Sequence, residues 1–368
     1  MLLCDQVVAM RDRILAVPGA LQAAAASIQR IASVADMLPS APRFILANDV
    51  TEALITSSID YPEALAGCID VIRIPWRAAW FEWDDDFARD TWRRAHVRQR
   101  VQDDNFMPKR VGFMVETDES GRRGEISVLW PVPESDGKGG LTSNYDGMVM
   151  SNLPTIRFDL DRQTLDARVM VGAASLERAT GIPIPEIGFN NDLEPGRARY
   201  LDRIRATMMM DWSNSGVAKL IAHLGRYNPV EFVSNTVADI WSEYCMLVPA
   251  AAMMNARQAV RTAPVDRARL NKARLKSGRS PLLDHAVVSM NVSPEERAER
   301  RRMAAGGAAG PRATHWVRGH LVHRGGTIFW RRPHIRMGVG DAPVGRTVRL
   351  HGQPEIRPEV DDIPAPGQ

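Results

Sequence analysis

The sequence predicts an α+β protein that comprises an N-terminal helical region, a central antiparallel sheet, a helical layer and a C-terminal basic β-hairpin module. Three observations support this prediction. Helical spacing of apolar residues dominates 5–37 and 195–260, short apolar runs bounded by turn residues fill 71–175, and a Gly-Gly pair at 325–326 separates two β-prone runs. The composition agrees with a globular protein, because 45% of the 368 residues are hydrophobic and 25% are charged.

Changes in composition along the chain set the boundaries of the expected regions. They are an N-terminal helical region over 1–70, a mainly β domain over 71–194, a helical layer over 195–262, a basic C-terminal β module with its linker over 263–352, and a flexible tail over 353–368. Within the first region, residues 43–70 predict no particular element. The common Gly-rich nucleotide-binding motifs are absent from the sequence, and we expect no cofactor.

Several aromatic and sulfur-containing side chains are expected in the core. Extended chain over 71–83 opens the β domain and carries three tryptophans, which we assign to the interior: Trp76, Trp80 and Trp83. The cysteines are far apart and show no CxxC spacing, which argues against a disulfide framework or a cysteine zinc site. We expect all three to be small buried residues: Cys4, Cys68 and Cys245.

A β-hairpin is predicted in the middle of the β domain, with strands over 111–115 and 125–130. Its turn contains Gly121 and Gly124, and we expect both to adopt positive φ. Two further strands complete the predicted sheet, over 148–150 and 155–160.

The helical layer contains a helix with a clear start, because Asn228 suits the N-cap, Pro229 the N1 position and Glu231 the N3 position. Beyond this helix the chain becomes basic. The basic part is expected to contain a strand that ends at residue 292, a charged helix over 293–303 and a Gly/Ala-rich linker over 304–313.

Charge is distributed unevenly along the chain. Residues 257–336 contain 18 Lys and Arg against 5 Asp and Glu, a net charge of +13, whereas residues 1–256 carry a net charge of −8. Such asymmetry is typical of proteins with a polyanionic partner, and we expect DNA or RNA. A solvated basic surface and a clasp of the basic segment onto the acidic residues 1–256 are the alternatives, and self-association is a further possible interaction.

The sequence shows no sign of export or membrane insertion. Its start lacks the basic segment of a secretory signal, and the most apolar stretch, 245–254, is too short for a membrane span. A cytoplasmic location is therefore expected, and a place in a virion stays open.

The C-terminal hairpin is the most distinctive feature of the sequence. A turn at Gly325-Gly326 pairs His320 with Arg331, and strand alternation then separates two faces. One face has an apolar centre and is expected to pack inward: Val317, Leu321, Ile328 and Trp330. The other face presents cations, which hold phosphates, and aromatic rings, which stack on bases. Its expected nucleic-acid-binding residues are Trp316, Arg318, His320, Arg324, Phe329 and Arg331.

Histidines of this segment also suggest chemistry. His320, flanked by Arg318 and Arg331, is a candidate general acid/base for metal-independent cleavage of a phosphodiester. A metal site is the other interpretation, but His315 and His323 lie about 26 Å apart along one strand and cannot share an ion.

Only His315 and His334 meet in this hairpin, as a diagonal cross-strand pair, and His285 would have to supply a third ligand. Zinc normally takes at least three protein ligands. We therefore expect no metal, with these three histidines as weak candidates.

Two acidic clusters in the β domain are candidate Mg²⁺ ligands of a nuclease. One is Glu82 with Asp84 and Asp86, and the other is Asp159 with Asp161. Alternate carboxylates share one face of a strand, which is the arrangement that a metal ion needs. A helix cap or a solvated turn explains the same residues without a metal.

The motif H-x-x-R-G-H at 315–320, followed by W-x-x-P-H at 330–334, resembles the C-terminal segment of a family of uncharacterised proteins encoded by phages and prophages. The stretch PWRAAWFEW at 75–83 is similar as well. Where members of that family often continue with Arg-Gly, this chain has Met337-Gly338. The resemblance implies an origin in a mobile element and carries no assigned activity.

These observations favour a phage- or prophage-derived accessory protein that binds nucleic acid through its basic C-terminal module. No complete catalytic signature is present, so we do not expect an enzyme. Three alternatives remain open: a virion structural or assembly protein, a nuclease that uses His320 or the acidic clusters, and a protein-binding inhibitor of a host factor.

Overall fold

The protein combines one large mixed sheet with helices on both of its faces. The computed structural model describes residues 2–16, 26–95, 110–132, 148–184, 195–213, 216–217, 229–256, 259–291, 315–317, 319–331 and 334–336. Within these ranges the strands form a nine-stranded sheet and two separate two-stranded ribbons. The predicted α+β class is confirmed.

The strands of the main sheet are β1 (Arg43–Leu46), β2 (Ala78–Asp84), β3 (Arg110–Thr117), β4 (Arg123–Val132), β5 (Met148–Ser151), β6 (Thr155–Asp159), β7 (Met208–Asp211), β8 (Val260–Val265) and β9 (His285–Met290). They lie in the order β7-β6-β4-β3-β2-β1-β9-β8, and β5 pairs with the second half of β4. β1 runs parallel to both of its neighbours, whereas the other pairs are antiparallel. The strands within 71–175 pair antiparallel as predicted, and the parallel strand β1 makes the complete sheet mixed.

The helices are α1 (Leu3–Leu15), α2 (Ala26–Met37), α3 (Asn48–Asp60), α4 (Pro62–Cys68), α5 (Asp85–Ala95), α6 (Ala167–Met170), α7 (Ala173–Thr180), α8 (Pro195–Arg205), α9 (Pro229–Asn255) and α10 (Ala268–Lys276), with a 3₁₀ turn at Ile69–Val71. α1 and α2 cover one face of the sheet. α3, α4 and α9 pack together on the other side. In the part of the chain that the structure describes, none of the helices is both long and apolar enough to cross a membrane.

Burial on both faces explains why β2, with the sequence AAWFEWD, has large apolar residues at consecutive positions. Trp80 lies under α1 and α2 with Met114, its partner on β3, whereas Phe81 and Phe113 occupy the opposite face. A strand that is covered on both sides carries apolar residues on both faces, and Glu82 is the buried polar exception in β2. The expected burial of Trp80 and Trp83 is confirmed, and all three cysteines are buried and free.

A buried carboxylate joins the sheet to the first helix. The side chain of Glu82 is fully buried and accepts hydrogen bonds from the backbone N–H groups of Leu3 at 2.8 Å and Cys4 at 3.2 Å. The Trp80 Nε1–H at 3.1 Å and the Arg110 guanidinium also donate to it. The first N–H groups of a helix have no partner within the helix and carry partial positive charge. Glu82 therefore sets where α1 begins on the sheet.

Glycines make two close approaches in this sheet possible. Gly112 faces Glu82 across the β2–β3 ladder, and a Cβ there would lie 2.1 Å from the ring of Trp80. Gly121 has the predicted positive φ, +67°. Gly124 does not, contrary to expectation: a Cβ on it would lie 1.9 Å from the carbonyl oxygen of Glu116, so close strand approach requires this glycine.

Three elements differ from the expected regions. The helical layer over 195–262 contains the strand β7, which pairs with β6 and buries every second one of its residues. β8 and β9 belong to the main sheet because β9 pairs with β1, so the sheet continues past the expected start of the C-terminal module at 263. The predicted N-cap Asn228, the helix over 293–303, the linker over 304–313 and the tail over 353–368 lie outside the described residues.

The chain divides into two compact units. The first comprises residues 1–291 and 319–332, and it includes a hairpin of β11 (His320–Arg324) and β12 (Thr327–Arg331). The second comprises residues 292–318 and 333–368. Its described part is an antiparallel pair of β10 (His315–Val317) and β13 (His334–Arg336).

We predict that Glu82→Gln lowers the free energy of unfolding by about 3 kcal/mol, because breaking one side of a buried, hydrogen-bonded charge pair leaves its partners without compensation. Urea unfolding followed by circular dichroism measures the change. Glu119→Gln is the control, since the Arg77–Glu119 pair has 64% and 90% exposed side chains and is expected to contribute nothing measurable. Equal stability of the two variants would contradict the role given to Glu82.

Candidate nucleic-acid interface

The C-terminal hairpin has the predicted register. Arg324 pairs with Thr327 and His320 pairs with Arg331. Gly325 and Gly326 both have positive φ, +58° and +72°, which a two-residue type I′ turn requires. The Gly-Gly signal was therefore sufficient to fix which residues face each other.

One face of the hairpin anchors it to the helices. Leu321 and Ile328 are 1% and 3% exposed, and the hairpin packs on α3, α4 and α9. Trp330, which also belongs to this face, is half-buried. For Leu321 and Ile328 the inward face is the one that strand alternation predicted, whereas Val317 lies on β10 in the second unit, with a side chain outside the described residues.

His320 has a packing role that the sequence did not reveal. Its imidazole stacks on the ring of Tyr61, which lies between α3 and α4, with 4.5 Å between ring centroids and an interplanar angle of 19°. The side chain that was expected on an open cationic surface thus contacts the body. The stack adds a second anchor for the hairpin.

The other predicted interface residues divide into two groups. Arg324 and Arg331 are exposed, and Phe329 is half-buried opposite Val322. Trp316 lies on β10 in the second unit, with a side chain outside the described residues. Arg318 lies outside them as well. The hairpin therefore brings together four of the six expected residues: His320, Arg324, Phe329 and Arg331.

A second basic surface lies on the segment 260–291, here called the basic arm, which comprises β8, α10 and β9. Arg269, Lys272 and Lys276 are all exposed, and no residue of α10 is buried. Their spacing of three and four residues places them on one side of the helix. That spacing, legible in ARLNKARLK, is the signal that sequence reasoning missed.

Polar contacts hold α10 in place. The Asn271 side chain donates to the carbonyl of Leu282 at 2.8 Å and accepts from its N–H at 2.7 Å. Arg274 donates through Nε to the carbonyl of Ser280 at 2.8 Å. The helix is thus held by polar contacts, and its other cations are exposed to solvent.

The exposed cations of α10 and of the hairpin lack ion-pair partners in the part of the chain that the structure describes. Within the described ranges, no ion pair involves the five exposed residues Arg269, Lys272, Lys276, Arg324 and Arg331. The two acids of the arm are engaged with backbone instead. Asp266 accepts from the N–H of Ala268 at 2.7 Å, and Asp284 accepts from the N–H of Arg267 at 2.8 Å.

The acidic clusters of the β domain do not form a cation site. Arg123 contacts both Asp159 and Asp161, at 3.2 Å each, and Arg122 contacts Asp161 at 2.7 Å. The hydrogen bond from Arg122 lowers the pKa of Asp161. A guanidinium group thus occupies the position between these carboxylates that a metal ion would take.

The three acidic residues near the end of β2 have different surroundings. Glu82 is buried against α1, and Asp84 accepts from the Phe87 N–H at 3.0 Å as a cap of α5. The strand ends at Asp84, so its alternation does not extend to Asp86, which is exposed. The described residues contain no group of three or more His, Cys, Asp or Glu side chains placed to hold a metal.

His285, a weak metal candidate, is half-buried in the first unit, whereas His315 and His334 belong to the second. Within the described residues, its buried Nδ1 atom has no hydrogen-bond partner, and the same holds for Oδ2 of Asp5 and Oε1 of Gln6 in the first turn of α1. Burial and the nearby charge of Arg267 lower the pKa of His285. Burial raises the pKa of Asp5, although its Oδ1 accepts from the Leu283 N–H at 2.8 Å.

No protein-family model matches the chain, and no curated protein matches it.

The raised pKa of Asp5 predicts a pH-dependent effect on stability. A carboxyl group whose pKa is higher in the folded state contributes most to stability at pH values below its unfolded-state pKa. This stabilisation is lost as pH rises through its folded-state pKa. Asp5→Asn should therefore melt at a higher temperature than the wild type at pH 7.5, with the difference shrinking towards pH 4. Calorimetry across this range measures it, with exposed Asp12→Asn as the control. A difference that does not change with pH would contradict the prediction.

Proposed function

We propose that the protein binds nucleic acid through the cations of the basic arm and of the C-terminal hairpin. The observation that carries the proposal is the contrast in charge pairing. Arginines of residues 1–256, here called the body, form ion pairs with neighbouring carboxylates, and examples are Arg11, Arg122 and Arg203. The exposed cations of α10 and of the hairpin ends have no such partner in the described structure.

Exposed cations along one side of a helix suit a phosphate backbone. From Arg269 to Lys276 the axis of α10 rises about 10 Å, a length over which duplex DNA carries roughly 6 phosphate charges. Three cations on one side of the helix are able to contact several of these phosphates at once. Binding then releases the counterions that the nucleic acid had condensed, which gives affinity without sequence preference.

A binding role is better supported than a nuclease role. The imidazole of His320 stacks on Tyr61, and the carboxylates of Asp159 and Asp161 are held by arginines. The resemblance of the C-terminal motif to phage and prophage proteins adds a context to the proposal, namely an accessory factor in replication, regulation or host takeover. Flanking genes for replication or for capsid assembly would distinguish this role from that of a virion protein.

We predict that the double variant Lys272→Gln/Lys276→Gln weakens binding to duplex DNA and flattens its salt dependence. Each phosphate contact that is lost should reduce the slope of log K against log salt concentration by roughly 0.9. Fluorescence anisotropy with a labelled duplex at salt concentrations from low to physiological measures both quantities.

The matched control is Arg178→Gln/Arg199→Gln, which removes the same charge from exposed positions on α7 and α8. Its affinity and slope should stay close to those of the wild type. Equal weakening by the two double variants would mean that net charge, not the arm, governs binding. Absence of binding by the wild-type protein at low salt would overturn the proposed function itself.

A further inference from the structure

The face of the C-terminal hairpin that carries His320 also carries one aromatic ring and two exposed arginines. Phe329 is half-buried and pairs with Val322, and it alternates with Ile328, whose side chain is buried on the inward face. Arg331 follows two residues later on the same strand, and Arg324 lies diagonally across on β11, opposite Thr327. Neighbouring positions on one face of a strand are about 6.6 Å apart, and diagonal cross-strand neighbours are about 7–8 Å apart, so both arginines are neighbours of the ring.

This arrangement matches the chemistry of one nucleotide with its two flanking phosphates. Aromatic rings stack on bases, and arginines bind phosphate through charge and directed hydrogen bonds. In a duplex each base face is covered by its neighbours, so a protein ring reaches it only where the strand is unpaired. A ring bracketed by cations therefore selects single strands, whereas a helix with cations alone does not.

We infer that the hairpin face formed by Arg324, Phe329 and Arg331 binds single-stranded nucleic acid, with one base stacked on Phe329. The inference rests on the proposed function and adds the class of ligand to it. Arg324 and Arg331 hold the phosphates on either side of the stacked base. The basic arm supplies attraction to any nucleic acid, and the hairpin supplies the preference for unpaired strands.

The hairpin is suited to act as a preformed platform. Leu321 and Ile328 fix its inward face on the helices, and the stack between His320 and Tyr61 holds its open end. Within the described residues Phe329 itself has no ring contact or hydrogen bond that stacking would have to break. A rigid ring that is already in place loses little conformational freedom on binding.

The test compares single-stranded DNA, single-stranded RNA and duplex DNA of equal length by fluorescence anisotropy. Wild-type protein should bind at least one of the single strands more tightly than the duplex. Phe329→Leu should weaken binding of that strand about tenfold, in line with the free energy of one base–aromatic stack, and leave duplex affinity within about twofold. Phe329→Tyr, which keeps the ring, should retain the wild-type preference.

Arg324→Gln/Arg331→Gln provides a second measurement at exposed positions that do not contribute to the packing of the hairpin. It should also reduce the preference for the single strand. Thermal melting of each variant shows whether the hairpin region stays folded.

The outcomes separate this inference from the proposed function. The single-strand inference is overturned if the wild type binds single strands and duplex equally. It is also overturned if Phe329→Leu loses the same affinity for both ligands. In either case, binding through the arm stands. If no nucleic acid binds at all, the proposed function fails as well. A loss in Phe329→Tyr as large as that in Phe329→Leu would show that the ring does not act by stacking.

Discussion

The carboxylate of Glu82 is the interaction on which the arrangement of the N-terminal half depends. It binds the free N–H groups at the start of α1, the indole of Trp80 and the guanidinium of Arg110 in one buried cluster. A buried charge persists only when every one of its acceptor positions is used. The position of α1 on the sheet, the glycine at 112 and the orientation of Trp80 are therefore mutually dependent.

Charge is managed differently in the body and in the basic arm. In the body, arginines bind carboxylates or collect several backbone carbonyls, as Arg122 does around the 3₁₀ turn at Ile69–Val71. In the arm, the acids accept hydrogen bonds from backbone groups, and Arg269, Lys272 and Lys276 of α10 are exposed to solvent. Both kinds of cation contribute equally to the net charge counted from a sequence, but cations that carboxylates pair with contribute less to the electrostatic potential around the protein.

Much of the fold was legible in the sequence because its local signals agree with the tertiary structure. The hairpin of β3 and β4, the strands β5, β6 and β9, and the register of the C-terminal hairpin all follow from alternation and from glycine turns. The parallel strand β1 was not predicted, since it pairs with strands far along the chain and no turn residue next to it marks either pairing. β7 was missed because its methionines suit a helix equally well.

The candidate site was only partly legible for a related reason. Register placed Arg324, Phe329 and Arg331 on one face, since pairing across a two-residue turn is a local property. The contact between His320 and Tyr61 joins residues far apart in the chain, and strand alternation says nothing about it. Whether a cation is paired depends likewise on distant carboxylates, so the sequence alone did not distinguish the arm from the arginines of the body.

The parallel pairing of β1 with β9 has a consequence for synthesis of the chain. Arg43 binds the carbonyl of Asp284, 241 residues later, and Asp5 binds the backbone of Leu283, 278 residues later. While the ribosome is still translating the middle of the sequence, β1 has one open edge, and the first turn of α1 lacks its contact with the arm. Contacts of such long range form slowly and leave unpaired edges exposed to aggregation. The nascent protein therefore completes its main sheet only after residues 260–290 have been translated.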